Sequence, residues 1–268
     1  MTTRRQTRRT FLGGTALMGA AALGGRVSPV AAQANAKTFV LVHGAWHGGW
    51  CWRRVADRLT VKGHKVFTPT MTGLGERSHL LDSKIGLATH ITDIVNVIKW
   101  EGLTDIVLVG HSYGGFIITG VAEQAQGAIA SMVFLEAFVP ESGQSVADTA
   151  SQPTRDAIAK MVAAGEGAIK PVSAAVFRVN EKDRPWVDAM CTPHPIASLT
   201  DKAVVTGARE RIAKKAYIRA KGYPSVPFDG YQTRLTKAAE WRVHELPCGH
   251  DAMVDQPAEL TDLLVSAA

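Results

Sequence analysis

The chain has 268 residues, 46% of them hydrophobic and 20% charged, which predicts a globular protein and excludes a disordered one. The length is sufficient for one sizeable α/β domain or two small ones. The formal net charge of +6 includes five arginines within the first 34 residues, which contain no Asp or Glu, so +6 minus 5 leaves +1 for the remainder. A nearly neutral remainder excludes nucleic acid as a default partner.

The first 34 residues have the pattern of an export signal. Residues 7–12, Thr-Arg-Arg-Thr-Phe-Leu, resemble a twin-arginine motif, and Ala-Gln-Ala at residues 32–34 resembles a cleavage site. The apolar stretch between them, residues 11–23, is shorter than the roughly 20 residues that a spanning helix needs. We therefore expect residues 1–34 to be a twin-arginine signal and residues 35–268 to be a periplasmic or secreted domain. No stable membrane anchor is expected after cleavage.

From residue 37 onward, short β-rich runs alternate with stretches of helical periodicity. The predicted strands are residues 38–42, 65–68, 105–109, 129–135, 216–220 and 241–246. The predicted helices are residues 50–61, 88–100, 116–122, 231–239 and a last one from residue 258. This alternation predicts a mostly parallel sheet flanked by helices. It stops at about residues 141–214, a helical but proline-broken stretch that we interpret as an inserted, mainly helical cap.

A candidate nucleophile follows the third predicted strand. Residues 110–114, Gly-His-Ser-Tyr-Gly, match the G-x-S-x-G turn, in which glycines let a strand and a helix pass closely and lift the serine above the sheet. Ser112 is therefore the candidate nucleophile. A serine hydroxyl needs a base, and His250, which follows the last predicted strand, is the candidate.

The loop after the first strand has the composition of an oxyanion hole. Such a hole needs two backbone N–H groups, one from the residue after the nucleophile and one from this loop. Tyr113 and Ala45 are the candidates. His43 and His47 also have a spacing seen in metal sites, but they flank glycines with no carboxylate nearby, so neither a metal nor another cofactor is expected.

The motifs together resemble the α/β-hydrolase superfamily. The resemblance rests on residues 39–52, 110–115 and 249–253, and within the superfamily it favours the small-carboxylester branch of plant methylesterases, hydroxynitrile lyases and bacterial pyrethroid-type esterases. It implies an α/β-hydrolase fold and ester hydrolysis through an acyl-enzyme. It covers essentially the whole chain after residue 34 and is weakest in the cap.

The acid of the triad departs from the family pattern. Most relatives carry an aspartate a few residues beyond the strand that precedes the last one, whereas residues 220–227 of this chain contain no carboxylate. Asp229 follows, in a position suited to the N-cap of the next helix. Glu136 ends an apolar strand, which is the position of the acid in some dehalogenase-like members. A buried carboxylate there is costly unless its charge pairs with an imidazolium, which the catalytic histidine must become. We predict Glu136 as the orienting acid, with Asp229 as the alternative.

Two other functions remain open at this stage. Hydroxynitrile lyases share the scaffold, but they have a threonine at the position of Gly44 and a lysine at that of Asp251. A low-turnover ligand receptor is the second alternative, and an export signal with a complete set of catalytic groups fits an enzyme better. The expected partner is a small hydrophobic ester, and the candidates for lining its pocket are Trp46, Phe138, Trp186 and Met190. The oligomeric state is not indicated.

Overall fold

The computed structural model describes residues 36–268, and the predicted export signal lies outside them. Six parallel strands form one sheet in the order β2-β1-β3-β4-β7-β8. Their bounds are β1 Thr38–Val42, β2 Lys65–Phe67, β3 Ile106–His111, β4 Ile129–Leu135, β7 Lys214–Ala220 and β8 Trp241–Leu246. Two short strands, β5 Ala168–Ile169 and β6 His194–Pro195, form a separate antiparallel pair.

Helices cover both faces of the sheet. The helices of the main body are α1 Arg53–Val61, α2 Leu87–Trp100, α3 Gly114–Ala125, α9 Val226–Thr236, α10 Ala252–Asp255 and α11 Pro257–Ser266. Short 3₁₀ helices lie at Gly49–Trp52, Gly75–Leu80 and Gln126–Ala128. Between residues 36 and 268, no helix is both long and apolar enough to cross a bilayer.

Alternation along the strands creates two apolar cores, one on each face. In β3, Ile106 and Leu108 contact the core beneath α2 and α3, while Val107 and Val109 contact the opposite core beneath α1 and α11. These strands carry almost no polar residues because both faces are covered, which is the pattern of a parallel sheet between helical layers. The predicted parallel sheet flanked by helices is therefore confirmed.

The inserted segment is mainly helical. It contains α4 Val146–Thr149, α5 Gln152–Ala163, α6 Arg184–Met190, α7 Ala197–Thr200 and α8 Ala208–Arg211, together with the β5–β6 pair. Ser145 begins α4 with a reciprocal capping box to Asp148. Proline lies in the first turn of α5 and of α6, so two of the prolines that interrupt the sequence pattern mark helix starts.

The largest difference between a predicted and an observed helix start is at α9. The helix expected at residues 231–239 spans Val226–Thr236, because Pro227 lies in its first turn instead of preceding it. The proposed N-cap role of Asp229 is also wrong, since Ser225 occupies the N-cap and Asp229 lies one turn inside the helix.

The chain order places two loops together at one edge of the sheet. From β1 the chain moves outward to β2, then returns to β3 on the other side of β1. The carboxyl ends of β1 and β3 therefore flank the point at which the strand order reverses, which is where open α/β sheets bind ligands. The loop from His43 and the turn at Ser112 begin there.

Gly115 sets how closely α3 approaches the segment after β4. A Cβ on Gly115 would lie 1.9 Å from the Phe138 carbonyl oxygen, whereas one on Gly230, in α9, has no neighbour within 4 Å. We expect Gly115→Ala to lower the free energy of unfolding by about 1–3 kcal/mol through overpacking. Gly230→Ala is the control and should raise it by about 0.5–1 kcal/mol, because alanine is the better helix former. Urea denaturation measures both, and equal effects would contradict this explanation.

Candidate active site

Ser112 lies in a strained turn between β3 and α3. Its φ is 54°, a left-handed conformation that is uncommon for a residue with a side chain. The turn is held by the Ser112 N–H, which donates to the Leu135 carbonyl (3.2 Å), and by the Ser112 carbonyl, which accepts from the N–H groups of Gly115 (3.0 Å) and Phe138 (3.2 Å). Gly110 permits the close approach, since a Cβ there would lie 2.7 Å from the Gly114 carbonyl oxygen. Ser112 itself is half-buried at the carboxyl edge of the sheet.

The loop after β1 packs directly on this turn. A Cβ on Gly44 would lie 3.0 Å from the Ser112 Cβ, so the backbone passes against the serine only because residue 44 has no side chain. Among residues 36–268, neither the Ala45 N–H nor the Tyr113 N–H donates a hydrogen bond to the protein. Two free backbone donors thus lie on the two segments that meet at Ser112.

Buried histidines fix the backbones that carry these two donors. His43 Nδ1 donates to the Gly44 carbonyl (2.9 Å), and its Nε2 accepts from the Met71 N–H (3.2 Å). The Gly44 carbonyl belongs to the same peptide group as the Ala45 N–H, so this bond orients that donor. Burial holds His43 neutral, with a pKa of about 3.

The second donor is fixed through the Tyr113 side chain. Its hydroxyl donates to His90 Nδ1 (2.9 Å), while His90 Nε2 donates to the Thr72 carbonyl (3.0 Å). The carbonyl determines the tautomer, because it can only accept. Burial lowers the His90 pKa to about 4, so the ring stays neutral and keeps Nδ1 free to accept.

His250 lies in the loop after β8, against the base of the nucleophile turn. Its carbonyl accepts from His111 Nε2 (3.0 Å), and the two rings are 4.6 Å apart. Its ring lies among Phe177, Tyr223 and Phe228, the last stacked at 5° and 5.7 Å. His250 is 4% exposed, and its Nδ1 has no hydrogen-bond partner. The nearest carboxylate oxygen recorded for Nδ1 is Glu136 Oε1, at 4.0 Å.

Glu136 is fully buried at the end of β4, again with a left-handed backbone (φ 43°). Its Oε1 accepts from Arg219 Nη1 (2.6 Å), and its Oε2 accepts from the Ala220 N–H (2.6 Å). Arg219 also donates from Nε (3.1 Å) and Nη2 (2.9 Å) to Asp229 Oδ1. The two candidate acids are therefore joined by one buried arginine, but only Glu136 also faces His250.

His111, His250 and Asp251 offer ligand atoms that lie within 4.8 Å of one another. His111 Nε2 donates to the His250 carbonyl and Asp251 Oδ2 contacts His47, whereas His111 Nδ1, His250 Nδ1 and Asp251 Oδ1 have no hydrogen-bond partner among residues 36–268. We assign no metal to these residues. The ring nitrogens of His43 and His47 are all hydrogen-bonded within the protein, so this pair is not arranged as a metal site.

Residues 39–263 match the alpha/beta hydrolase family. The chain belongs to this family. The resemblance identified from the sequence motifs is thus confirmed.

Two curated relatives match most of the chain. It is 40% identical over 237 residues to the carbendazim hydrolyzing esterase of Nocardioides sp. (strain SG-4G), covering 85% of this chain and 98% of that protein. It is 26% identical to Methylesterase 10 of Arabidopsis thaliana, covering 86% of this chain and 91% of that one.

A solved structure is similar throughout. An extracellular alpha/beta-hydrolase from a Paenibacillus species, described as sharing structural and functional homology with tobacco salicylic acid binding protein 2, aligns with a TM-score of 0.76. It is 27% identical and covers 87% of this chain and 99% of that one. The chain is a carboxylesterase-like hydrolase, as the sequence predicts, and the lyase and receptor alternatives are not favoured.

The four candidates for lining the pocket have different surroundings. Half-buried Trp46 packs on Phe177 and His194 and donates from Nε1 to the Ile169 carbonyl (3.1 Å) of the inserted segment. Phe138 packs on Phe116 and Phe228, and Phe228 stacks on His250. These two side chains remain candidates for contact with substrate.

Trp186 and Met190 contact residues other than Ser112 and His250. Trp186 packs edge-on against Trp50 (5.1 Å) beneath the Arg54 guanidinium. Met190 lines an outer depression together with Trp50 and Thr192, and neither Ser112 nor His250 borders it. The substrate contact expected for these two residues stays a prediction.

Several residues of the site were not predicted from the sequence. Arg219, 1% exposed in β7, was not identified, although a basic residue in an apolar strand is a signal for a buried carboxylate partner. Phe177, Tyr223 and Phe228 around His250 come from distant segments and carry no motif. The pairing of His47 with Asp251 joins residues 204 positions apart and has no local signal either.

Proposed function

We propose that this protein is a serine carboxylesterase that hydrolyses a hydrophobic ester through an acyl-enzyme intermediate. One observation carries the proposal: strained Ser112 lies beneath two unpaired backbone donors, on the turn whose His111 supports the His250 loop. In this proposal Ser112 is the nucleophile, His250 the base and Glu136 the orienting acid. The N–H groups of Ala45 and Tyr113 form the oxyanion hole.

The reaction follows from these positions. Ser112 Oγ attacks the ester carbonyl carbon as its proton passes to His250 Nε2, and the two N–H groups stabilise the oxyanion. The tetrahedral intermediate collapses, and the alcohol leaves with the proton from His250. A water molecule then attacks the acyl-enzyme, His250 accepts its proton, and the acid is released as Ser112 is regenerated.

The acid at Glu136 supports the imidazolium formed in both steps. Its distance of 4.0 Å from Nδ1 is about 1 Å longer than a hydrogen bond, a gap of the kind that closes when substrate binds. Arg219 places a cation beside the Glu136 carboxyl group inside the protein. Because Asp229 shares the same arginine, the three groups together carry a net charge of −1 beside His250.

The surroundings of His250 favour an apolar substrate. Phe177, Tyr223 and Phe228 enclose the ring, and Phe138 packs on Phe228. Aromatic walls of this kind suit an ester with an aromatic acid or alcohol part. Since the 40% identical relative is named for hydrolysing carbendazim, that compound belongs in the substrate panel with nitrophenyl esters.

We also propose that the protein acts in the periplasm or outside the cell. The support is the sequence pattern of residues 1–34, with Arg8 and Arg9 as its central pair. A twin-arginine signal exports folded proteins, so the domain would fold before it leaves the cytoplasm.

The acyl-enzyme mechanism is tested by the burst of nitrophenol released from a short-chain nitrophenyl ester. We expect Ser112→Ala to abolish both burst and turnover, because no other group on the turn can form the acyl-enzyme. Ser142→Ala, in the inserted segment, is the matched control and should keep the burst. Turnover retained in Ser112→Ala would refute the assignment of the nucleophile.

The two candidate acids are separated by a matched pair of substitutions. Glu136→Gln should lower kcat by roughly 10³- to 10⁴-fold, as loss of the acid does in serine-histidine-acid triads. Asp229→Asn should lower it by less than about fivefold, since a half-exposed ion pair contributes at most about 1 kcal/mol. Thermal melting of both variants controls for folding. The reverse order of effects would assign the role to Asp229.

Export is tested by changing Arg8 and Arg9 together to lysine in the full chain. The precursor should then accumulate in the cytoplasm, because the twin-arginine pathway reads this pair. Cell fractionation with an antibody measures it. A processed protein found outside the cytoplasm in unchanged amount would contradict the proposal, and Arg4→Lys with Arg5→Lys is the matched control.

A further inference from the structure

His47 lies buried between two oxygen acceptors. Its Nδ1 is 2.8 Å from the Ala45 carbonyl oxygen and its Nε2 is 3.0 Å from Asp251 Oδ2, while the two side chains are 1% and 0% exposed. A carbonyl oxygen has no proton to donate, so Nδ1 carries one. The contact with Asp251 then needs a second proton, located either on Nε2 or on the carboxyl group.

The surroundings place that second proton on His47. The indole of Trp50 stacks on the His47 ring at 5.2 Å and 20°, the arrangement in which an aromatic face attracts a cation. On the other side, His111 Nε2 donates to the His250 carbonyl and lies 3.9 Å from Asp251 Oδ1, which has no hydrogen-bond partner among residues 36–268. At this distance His111 contributes only an electrostatic attraction to the carboxylate.

Three other histidines near the pair do not compete for the charge. Burial lowers the pKa values of His43, His111 and His194, so these three rings are neutral. Burial also opposes charge on His47, but the charge and hydrogen bond of Asp251 outweigh it and raise the His47 pKa. For Asp251, burial is likewise outweighed, by His47 first and then by His111 and His250, so its pKa is lowered.

We infer that His47 and Asp251 form a permanent imidazolium–carboxylate pair. This pair positions the loop after β8, which carries His250, against the loop after β1, which carries Ala45. Asp251 directly follows His250, and His47 clamps the carbonyl of Ala45, whose N–H is the proposed oxyanion donor. The pair thus connects residues 204 positions apart and joins the two halves of the site. Its positioning role rests on the proposed function, whereas its charge state does not.

The charge state is measured by ¹⁵N NMR of the folded protein with labelled histidine. At pH 8, we expect both ring nitrogens of His47 to carry protons, whereas an ordinary histidine is then neutral. His47→Gln identifies the resonances by their loss. Asp251→Asn should remove the Nε2 proton, because an amide can donate to Nε2 but brings no charge. A His47 ring with one proton at pH 8 in the unmodified protein would overturn the ion pair.

The positioning role is measured by steady-state kinetics on a nitrophenyl ester. Asp251→Asn should lower kcat on the order of 10- to 100-fold with little change in KM, because misplaced donors weaken transition-state binding more than substrate binding. Asp251→Glu should recover part of the loss by restoring the charge. Asp262→Asn, a surface carboxylate paired with Lys62, is the matched control and should keep kcat unchanged.

The charge state of the pair and its positioning role can be refuted independently. If Asp251→Asn loses the His47 Nε2 proton but keeps an unchanged kcat, the positioning role is refuted. The ion pair of the unmodified protein is then still supported. Retained turnover in Ser112→Ala would refute the proposed function, while the NMR result would still decide the charge state of His47. A change confined to the melting temperature would assign the pair a structural role alone and overturn its role in positioning.

Discussion

The left-handed backbone at Ser112 is the constraint on which the rest of the site depends. A side chain in that conformation is costly, and the turn persists because surrounding contacts hold it on every side. The Leu135 carbonyl and the N–H groups of Gly115 and Phe138 bind its two backbone polar groups. The same turn starts α3, ends β3 and presents the hydroxyl above the sheet. Loss of the close packing at Gly115 would therefore affect fold and chemistry together.

The parallel sheet places the other loops of the site beside the Ser112 turn. Because β1, β3 and β4 are adjacent and parallel, the segments following them emerge at one edge, with left-handed residues at Trp46, Ser112 and Glu136. Ser112 and Glu136 directly follow β3 and β4, and Trp46 lies four residues after the end of β1. These strained backbone conformations lie in the segments that follow the strands, and the packing of the strands stabilises them.

Charge is distributed around His250 in two buried groups. On one side, Arg219 joins Glu136 and Asp229, and on the other, Asp251 pairs with His47. An isolated carboxylate at either place would be expensive to bury, so each comes with its own cation. In the first group, β7 supplies the arginine that pairs with Glu136, the carboxylate that follows β4.

Local patterns predicted much of this protein. The strands Thr38–Val42, Ile129–Leu135 and Trp241–Leu246 have the predicted bounds. The helix at Val226–Thr236 was predicted five residues late, since a proline in a first turn looks like an interruption in sequence. Trp186 and Met190 were predicted to line the pocket from residue type alone, which does not show which way α6 faces.

The sequence by itself determined the alternation of strands and helices, the Ser112 turn and the family, because each depends on residues near one another in the chain. Only the tertiary structure decided which carboxylate faces His250, that Arg219 holds it, and that His47 meets Asp251. Those relations depend on strand order and loop packing between segments up to 204 residues apart. Burial then fixes their charges, because a low-dielectric interior admits a charge only beside its partner.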